Sequence, residues 1–159
     1  MREHFAVLGG AIREHNGTIV KTIGDAVMAA FADPADGVRA ALAIHNNLAA
    51  LNAASEDEPL VIKIGLHAGP CIAVTLNDRL DYFGSTVNLA ARLQGESAGD
   101  DIVLSHALVD DAVVAGLLRA VPAAEETAFV RGFPEPVPFR RLGPGAVASL
   151  SAADANGGP

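Results

Sequence analysis

The chain has no tryptophan, one tyrosine, one cysteine and few cations: 11 Lys and Arg stand against 19 Asp and Glu, a net charge of −8. Each shortage excludes something. A single thiol, Cys71, cannot close an internal disulfide, so a reducing cytosol is the natural setting. Its apolar neighbours predict a plain core or strand role for it. An acidic chain lacks the basic face that nucleic acid demands, so no nucleic-acid partner is expected. A phosphate-bearing small molecule remains admissible, because a metal ion or a few local cations can hold it. The apolar runs stop well short of the roughly 20 residues that cross a bilayer. The start, MREHFAVL, has neither the cationic n-region nor the apolar h-region of a signal peptide. The expectation is a cytoplasmic chain, alone or as the cytosolic part of a longer one, with no membrane contact within this segment.

What is present points to one domain. The 159 residues are 50% hydrophobic, enough for a chain of this length to bury about two-thirds of its unfolded surface. Residues 2–16 read as a helix with Phe5, Leu8 and Ile12 on one face, stopped by Gly17. Thr18–Ile23 and Ala26–Phe31 read as two strands of a hairpin around Gly24-Asp25. Asp33-Pro34 opens a helix striped by Val38, Leu42, His45 and Leu48 or Ala49. Strands are expected at 60–66 and 71–76 around the turn 67–70, and a helix capped by Ser85 runs to about Gln94, with Val87, Ala90 and Ala91 as its packing face. A strand at 101–105, a helix at 106–119 and short strands near 128–130 and 137–141 follow. From Gly143 the Gly/Ala/Ser-rich composition predicts a disordered tail, 143–159. The fold class is α+β, a sheet covered by helices.

Two clusters carry chemistry. In the first, Lys21 lies between Ile19 and Ile23 on one face of a strand, so it must reach a partner or snorkel to water. Asp25 follows in the hairpin turn, where Gly-Asp is also ordinary turn chemistry. In the second, Arg79–Leu93 runs from a strand through Gly84 into a helix. Asn88 and Arg92 are i and i+4 there, on one helix face near the N-terminus, suited to a phosphate and a sugar. Taken singly, Lys21 reads more readily as a strand-edge cation than as a ligand contact, and Arg92 more readily as part of a solvated face. The histidines, including His45 and His67, have no metal-like spacing and read as structural or surface residues.

Together these segments resemble the catalytic domain of class III adenylate/guanylate cyclases. The resemblance is carried by GTIVKTIGDAVMAAF (17–31), IKIGLHAGP (62–70) and RLDYFGSTVNLAARL (79–93), and more weakly by VRGFPEPVPF (130–139). It covers roughly residues 2–142, expected as an N-terminally incomplete cyclase domain (1–142) with a ferredoxin-like βαββαβ sheet. The implied reaction is conversion of ATP to 3′,5′-cyclic AMP and pyrophosphate with two Mg²⁺ or Mn²⁺ ions per site. By the resemblance, Asp25 is a metal ligand and Lys21 and Asp81 read the purine. Asn88 orients the ribose, Arg92 stabilises the leaving pyrophosphate, and Arg131 contacts the triphosphate. The implied partners are ATP and a second cyclase domain, in a homodimer or heterodimer.

One part of the family pattern is absent. The family's first metal aspartate lies in a Phe-x-Asp strand upstream, and none of the 24 residues before Asp25 is an aspartate. In related folds that first strand lies in the interior of the sheet, so neighbouring backbone groups are expected to lack partners. The expectation is a chain close to inactive alone, because one metal carboxylate is missing, yet able to complete a site with an intact protomer. The alternative is a non-catalytic, cyclase-like dimerisation or nucleotide-sensing module. Diguanylate cyclases share a similar core architecture, but their Gly-Gly-Asp/Glu-Glu-Phe hairpin does not occur here.

Overall fold

A computed structural model describes residues 2–156. In chain order the elements are α1 (Arg2–Glu14), β1 (Thr18–Ile23), β2 (Ala26–Ala30), α2 (Pro34–Ala54), β3 (Lys63–Leu66), β4 (Ile72–Leu76), β5 (Arg79–Phe83) and α3 (Ser85–Glu96). They continue through β6 (Asp101–Ser105), α4 (His106–Val109), α5 (Ala112–Leu118), β7 (Ala124–Ala128), β8 (Val137–Leu142) and α6 (Pro144–Asn156). The α+β expectation holds, but the strands do not form one sheet. A four-stranded sheet of order β3-β6-β8-β7 stands beside two separate hairpins, β1–β2 and β4–β5. Within the sheet only β3–β6 is parallel.

The split runs between β2 and β3. Val27 and Ala29 of β2 and Ile64 of β3 pack against the same buried cluster, built from Leu8, Ala11 and Ile12 of α1 and Ile44 and Leu48 of α2. Yet among the described residues β2 pairs only with β1, and β3 only with β6. The two strands share a core and exchange no ladder hydrogen bond.

The main core lies on the other side of α2. Val38, Ala41 and Leu42 meet Ile102 and Leu104 of β6, Leu142 of β8, and Val114 and Leu118 of α5. Asp33 caps α2 as expected, its carboxylate accepting from the Ala35 N–H at 2.8 Å. Of the two candidates for the end of its stripe, Leu48 is buried and Ala49 exposed. Gly17 does not itself turn the chain after α1. Asn16 takes the left-handed conformation (φ 58°), and Gly17 is needed because a Cβ there would lie 2.3 Å from the Phe31 ring.

Several expectations are corrected. Residues 143–156 are not a disordered tail: α6 inserts Val147 and Leu150 into the main core. Ala-rich sequence favours helix, and two apolar residues three apart suffice as a seam. Leu60 and Val61 are exposed rather than part of a strand. The Asn52 side chain pairs with both the N–H and the C=O of Leu60 at 2.9 Å, taking the groups a ladder would use. Strands β3 and β4 enter different sheets. The helix expected over 106–119 breaks at Asp110-Asp111, where Asp111 accepts from the N–H groups of Val113 and Val114 and starts a new helix. The strand expected near 128–130 lies earlier, at Ala124–Ala128. Cys71 is exposed just ahead of β4, not a core residue.

Candidate active site

Lys21 owes its aim to an irregularity. The β1–β2 register runs Ile19↔Ala29 and then Lys21↔Met28, so Val20 is an extra residue on β1. A bulge of this kind breaks the alternation of faces and redirects the side chain that follows. Ile19 and Ile23 are left exposed, while Lys21 is half-buried. Its ammonium donates to Asp81 Oδ2 at 2.8 Å and stands 5.4 Å from the centroid of the Phe83 ring. The second oxygen of Asp81 accepts from the Tyr82 N–H at 2.8 Å. The hydrogen bond from Lys21, outweighing a smaller desolvation cost, holds the Asp81 carboxyl below its ordinary range.

Asp81 and Phe83 are presented by the β4–β5 hairpin. Its two-residue loop, Asn77-Asp78, has positive φ at both positions (51° and 59°), the geometry of a type I′ turn. That turn pairs Val74 with Asp81 and Ile72 with Phe83 on one face. The Asn-Asp pair is a recognisable signal, and the hairpin is the part of the site that sequence reasoning missed. A cleft of about 280 Å³ lies between the hairpins, lined by Val20, Lys21, Thr22, Leu76, Arg79, Leu80 and Asp81.

A second cleft, of about 220 Å³, gathers Ser85, Asn88 and Arg92 of α3 with Arg131, Gly132 and Phe133 of the β7–β8 loop. Its lining holds two guanidinium groups and no carboxylate, which suits a polyanion. The cap of α3 is Gly84 and not Ser85: the chain passes from β5 into the helix at φ 126°, ψ −178°, a conformation open essentially only to glycine. Ser85 is thereby the first helical residue, free to face the cleft. Thr86 donates its hydroxyl to the Pro70 carbonyl, tying α3 to the loop after β3. The packing face of the helix is Leu89 and Leu93; Ala91 is exposed.

Asp25 sits apart, exposed in the β1–β2 turn and in the lining of neither cleft. A divalent ion of the Mg²⁺ or Mn²⁺ kind wants about six oxygen ligands, and a lone carboxylate gives one or two. Among the described residues no three His, Cys, Asp or Glu side chains stand together. The residues of one chain therefore do not fit a two-ion centre by themselves. Neither His45 nor His67 lines either cleft: burial lowers the pKa of both, with the Asp101 backbone and the Asp100 and Asp101 charges partly opposing this at His45. His67 Nδ1 pairs with Ser105 Oγ at 2.7 Å.

The family described as the adenylate and guanylate cyclase catalytic domain matches residues 1–114. The chain belongs to this family. Among curated cyclases, it is 33% identical over 125 residues to adenylate cyclase 1 of Rhizobium meliloti, covering 69% of this chain and 19% of that one. It is 31% identical over 169 residues to human retinal guanylyl cyclase 1, covering 87% and 15%. The chain thus spans less than a fifth of either relative's length. In fold it is similar to an adenylate cyclase structure from Trypanosoma brucei, with a TM-score of 0.76, 22% identity, and coverage of 88% of this chain and 77% of that one. Adenylate and guanylate cyclases therefore both stand among the relatives of this cyclase domain. No helix among its described residues is long and apolar enough to cross a membrane.

Proposed function

We propose that the chain supplies the substrate-reading half of an adenylate cyclase site, acting on ATP to give 3′,5′-cyclic AMP and pyrophosphate. The observation that carries this is the Lys21–Asp81 pair at 2.8 Å, a donor and an acceptor side by side at the mouth of a cleft. Adenine offers an acceptor at N1 and a donor at its 6-amino group, which a lysine and a carboxylate match. Asn88 holds the ribose. Arg92, with Arg131 beside it, balances the charge that builds as the ribose 3′-oxygen bonds to the α-phosphorus and the bond to the departing pyrophosphate breaks. The metal carboxylates of that site come from a second cyclase domain; Asp25, in the lining of neither cleft, would offer its one carboxylate to Mg²⁺ or Mn²⁺ only in the opposite site of such a dimer, where its partner carboxylate is missing. Exposed Ile72, Leu76 and Leu80 on the β4–β5 hairpin, with Ile19 and Ile23 on β1, give such a domain an apolar surface to cover.

The test is complementation. The chain is mixed with a cyclase protomer that keeps both metal aspartates but has its own purine-reading lysine and catalytic arginine replaced by alanine. Cyclic AMP forms only in the mixture, and Lys21→Ala or Arg92→Ala in this chain abolishes it, while the chain alone stays near background. No cyclic AMP in the mixture overturns the catalytic reading and leaves a cyclase-like binding module.

A further inference from the structure

Lys21 has two neighbours in this structure, and only one is explained by charge. Asp81 and Phe83 are two apart on β5 and so project from the same face of the hairpin. The Lys21 ammonium is bracketed between them, 2.8 Å from the Asp81 carboxylate and 5.4 Å from the centroid of the Phe83 ring. The ring is 42% exposed, so core packing does not account for it.

The chemistry of the base edge gives that contact a purpose. At positions 6 and 1, adenine presents a donor and then an acceptor; guanine presents an acceptor and then a donor. A lysine and a carboxylate can therefore read either base, provided they exchange places along the edge. A lysine on a free four-carbon stem can make that exchange. Here the exchange is blocked at both ends. Asp81 is anchored by the Tyr82 N–H on its second oxygen, and the ammonium is held over the ring face, where the aromatic quadrupole attracts it.

We propose that Phe83 is a specificity-positioning residue: by holding Lys21 beside Asp81 in one fixed order, it makes the pair prefer a 6-aminopurine nucleotide over a 6-oxopurine one. This rests on the assignment of Lys21 and Asp81 to the base, and extends it to a residue that touches Lys21 rather than the reacting atoms. The ring acts through its electron-rich face, so an aliphatic side chain of similar bulk does not replace it and another aromatic does.

The experiment measures competition of ATP and of GTP, each with Mg²⁺, against a ribose-labelled fluorescent ATP on the complementation mixture made with the wild-type chain, Phe83→Leu or Phe83→Trp. Thermal unfolding confirms that each variant is folded. The expected result is an ATP-over-GTP preference that falls about two- to fivefold in Phe83→Leu, the range of an exposed cation–π contact, and is retained in Phe83→Trp. Should the leucine variant be unfolded, Phe83→Met supplies the same comparison. A ratio that stays constant while both affinities fall together marks a merely structural ring and overturns the proposal, as does an unchanged leucine or methionine variant. A mixture containing the wild-type chain that binds neither nucleotide overturns the purine-reading assignment itself, and this inference with it.

Discussion

Replacement of Gly65 by alanine should be the most damaging methyl addition among the described residues, and its size follows from the geometry. A Cβ at Gly65 would lie 2.2 Å from the Gln94 backbone nitrogen and 2.7 Å from both Gln94 Cα and the Leu93 carbonyl carbon. These are main-chain atoms of α3, so no side chain can rotate away. Strand β3 cannot retreat either, because Gly65 is paired with Val103 of β6. Restoring even a tight contact of 3.4 Å requires α3 to back off by about 1 Å. That movement pulls fully buried Leu93 away from Val103 and Phe139. Overpacking of this kind costs about 3 kcal/mol, the upper end of its usual range, or roughly 6–12 °C in Tm for a domain of this size. Urea unfolding of Gly65→Ala against wild type measures it. Gly116→Ala is the control, since its Cβ meets nothing within 4 Å and should be neutral or stabilising by up to about 1 kcal/mol in a helix. A Gly65→Ala protein within about 0.5 kcal/mol of wild type, the ordinary scatter of a surface change, would falsify the claimed close approach.

Two further predictions concern buried charge. The Asp101 carboxylate opposes its own burial with hydrogen bonds from Ser97, Arg141 and the Ala98 N–H, which together hold its pKa below the usual carboxylate range. Asp101→Ala leaves Arg141 paired with Glu126 but strips partners from Ser97 and the Ala98 N–H, and should cost about 1–3 kcal/mol, as buried polar groups left unsatisfied do, read by chemical denaturation. His45 is buried and its pKa is depressed mainly by desolvation, so the native state binds fewer protons than the unfolded chain. Its contribution is intact above the unfolded value of about 6.5 and is lost as pH falls from there toward the lower native pKa. His45→Leu should therefore flatten the decline in stability below about pH 6.5, and an unchanged slope in urea titrations would refute this assignment.

Much of the fold was legible because local rules and tertiary packing agree there. Gly24-Asp25 between two β-rich runs marked the first hairpin, and Asp33-Pro34 marked α2 to the residue. Where the reading failed, a contact distant in sequence had overridden the local pattern. Asn52 claims the backbone of Leu60, eight residues on, and so converts the front of an apolar run into loop. Val147 and Leu150 order a tail whose composition alone suggests none. The site shows the same division. Lys21, Asp81, Asn88 and Arg92 were found as residue types at motif positions, and the structure brings them together as two groups: Lys21 with Asp81, and Asn88 with Arg92 and Arg131. The Val20 bulge that aims Lys21 and the ring beneath its ammonium were not found. The bulge lies in the register of one hairpin and the ring contact in the approach of two, and neither leaves a periodic trace.

The gap in backbone pairing between β2 and β3 makes the molecule mechanically uneven. Strand β6 is buried at every residue and bonded on both sides, so moving it means breaking two ladders. The β1–β2 hairpin is joined to the rest by apolar contacts beneath it and by the Lys21–Asp81 bond at its flank. Two-stranded ribbons of this size are marginal by themselves. The protein thus has a seam, a line along which one part yields while the other stays rigid. Lys21, bonded to Asp81 of the β4–β5 hairpin, ties the two ribbons beside that seam to each other.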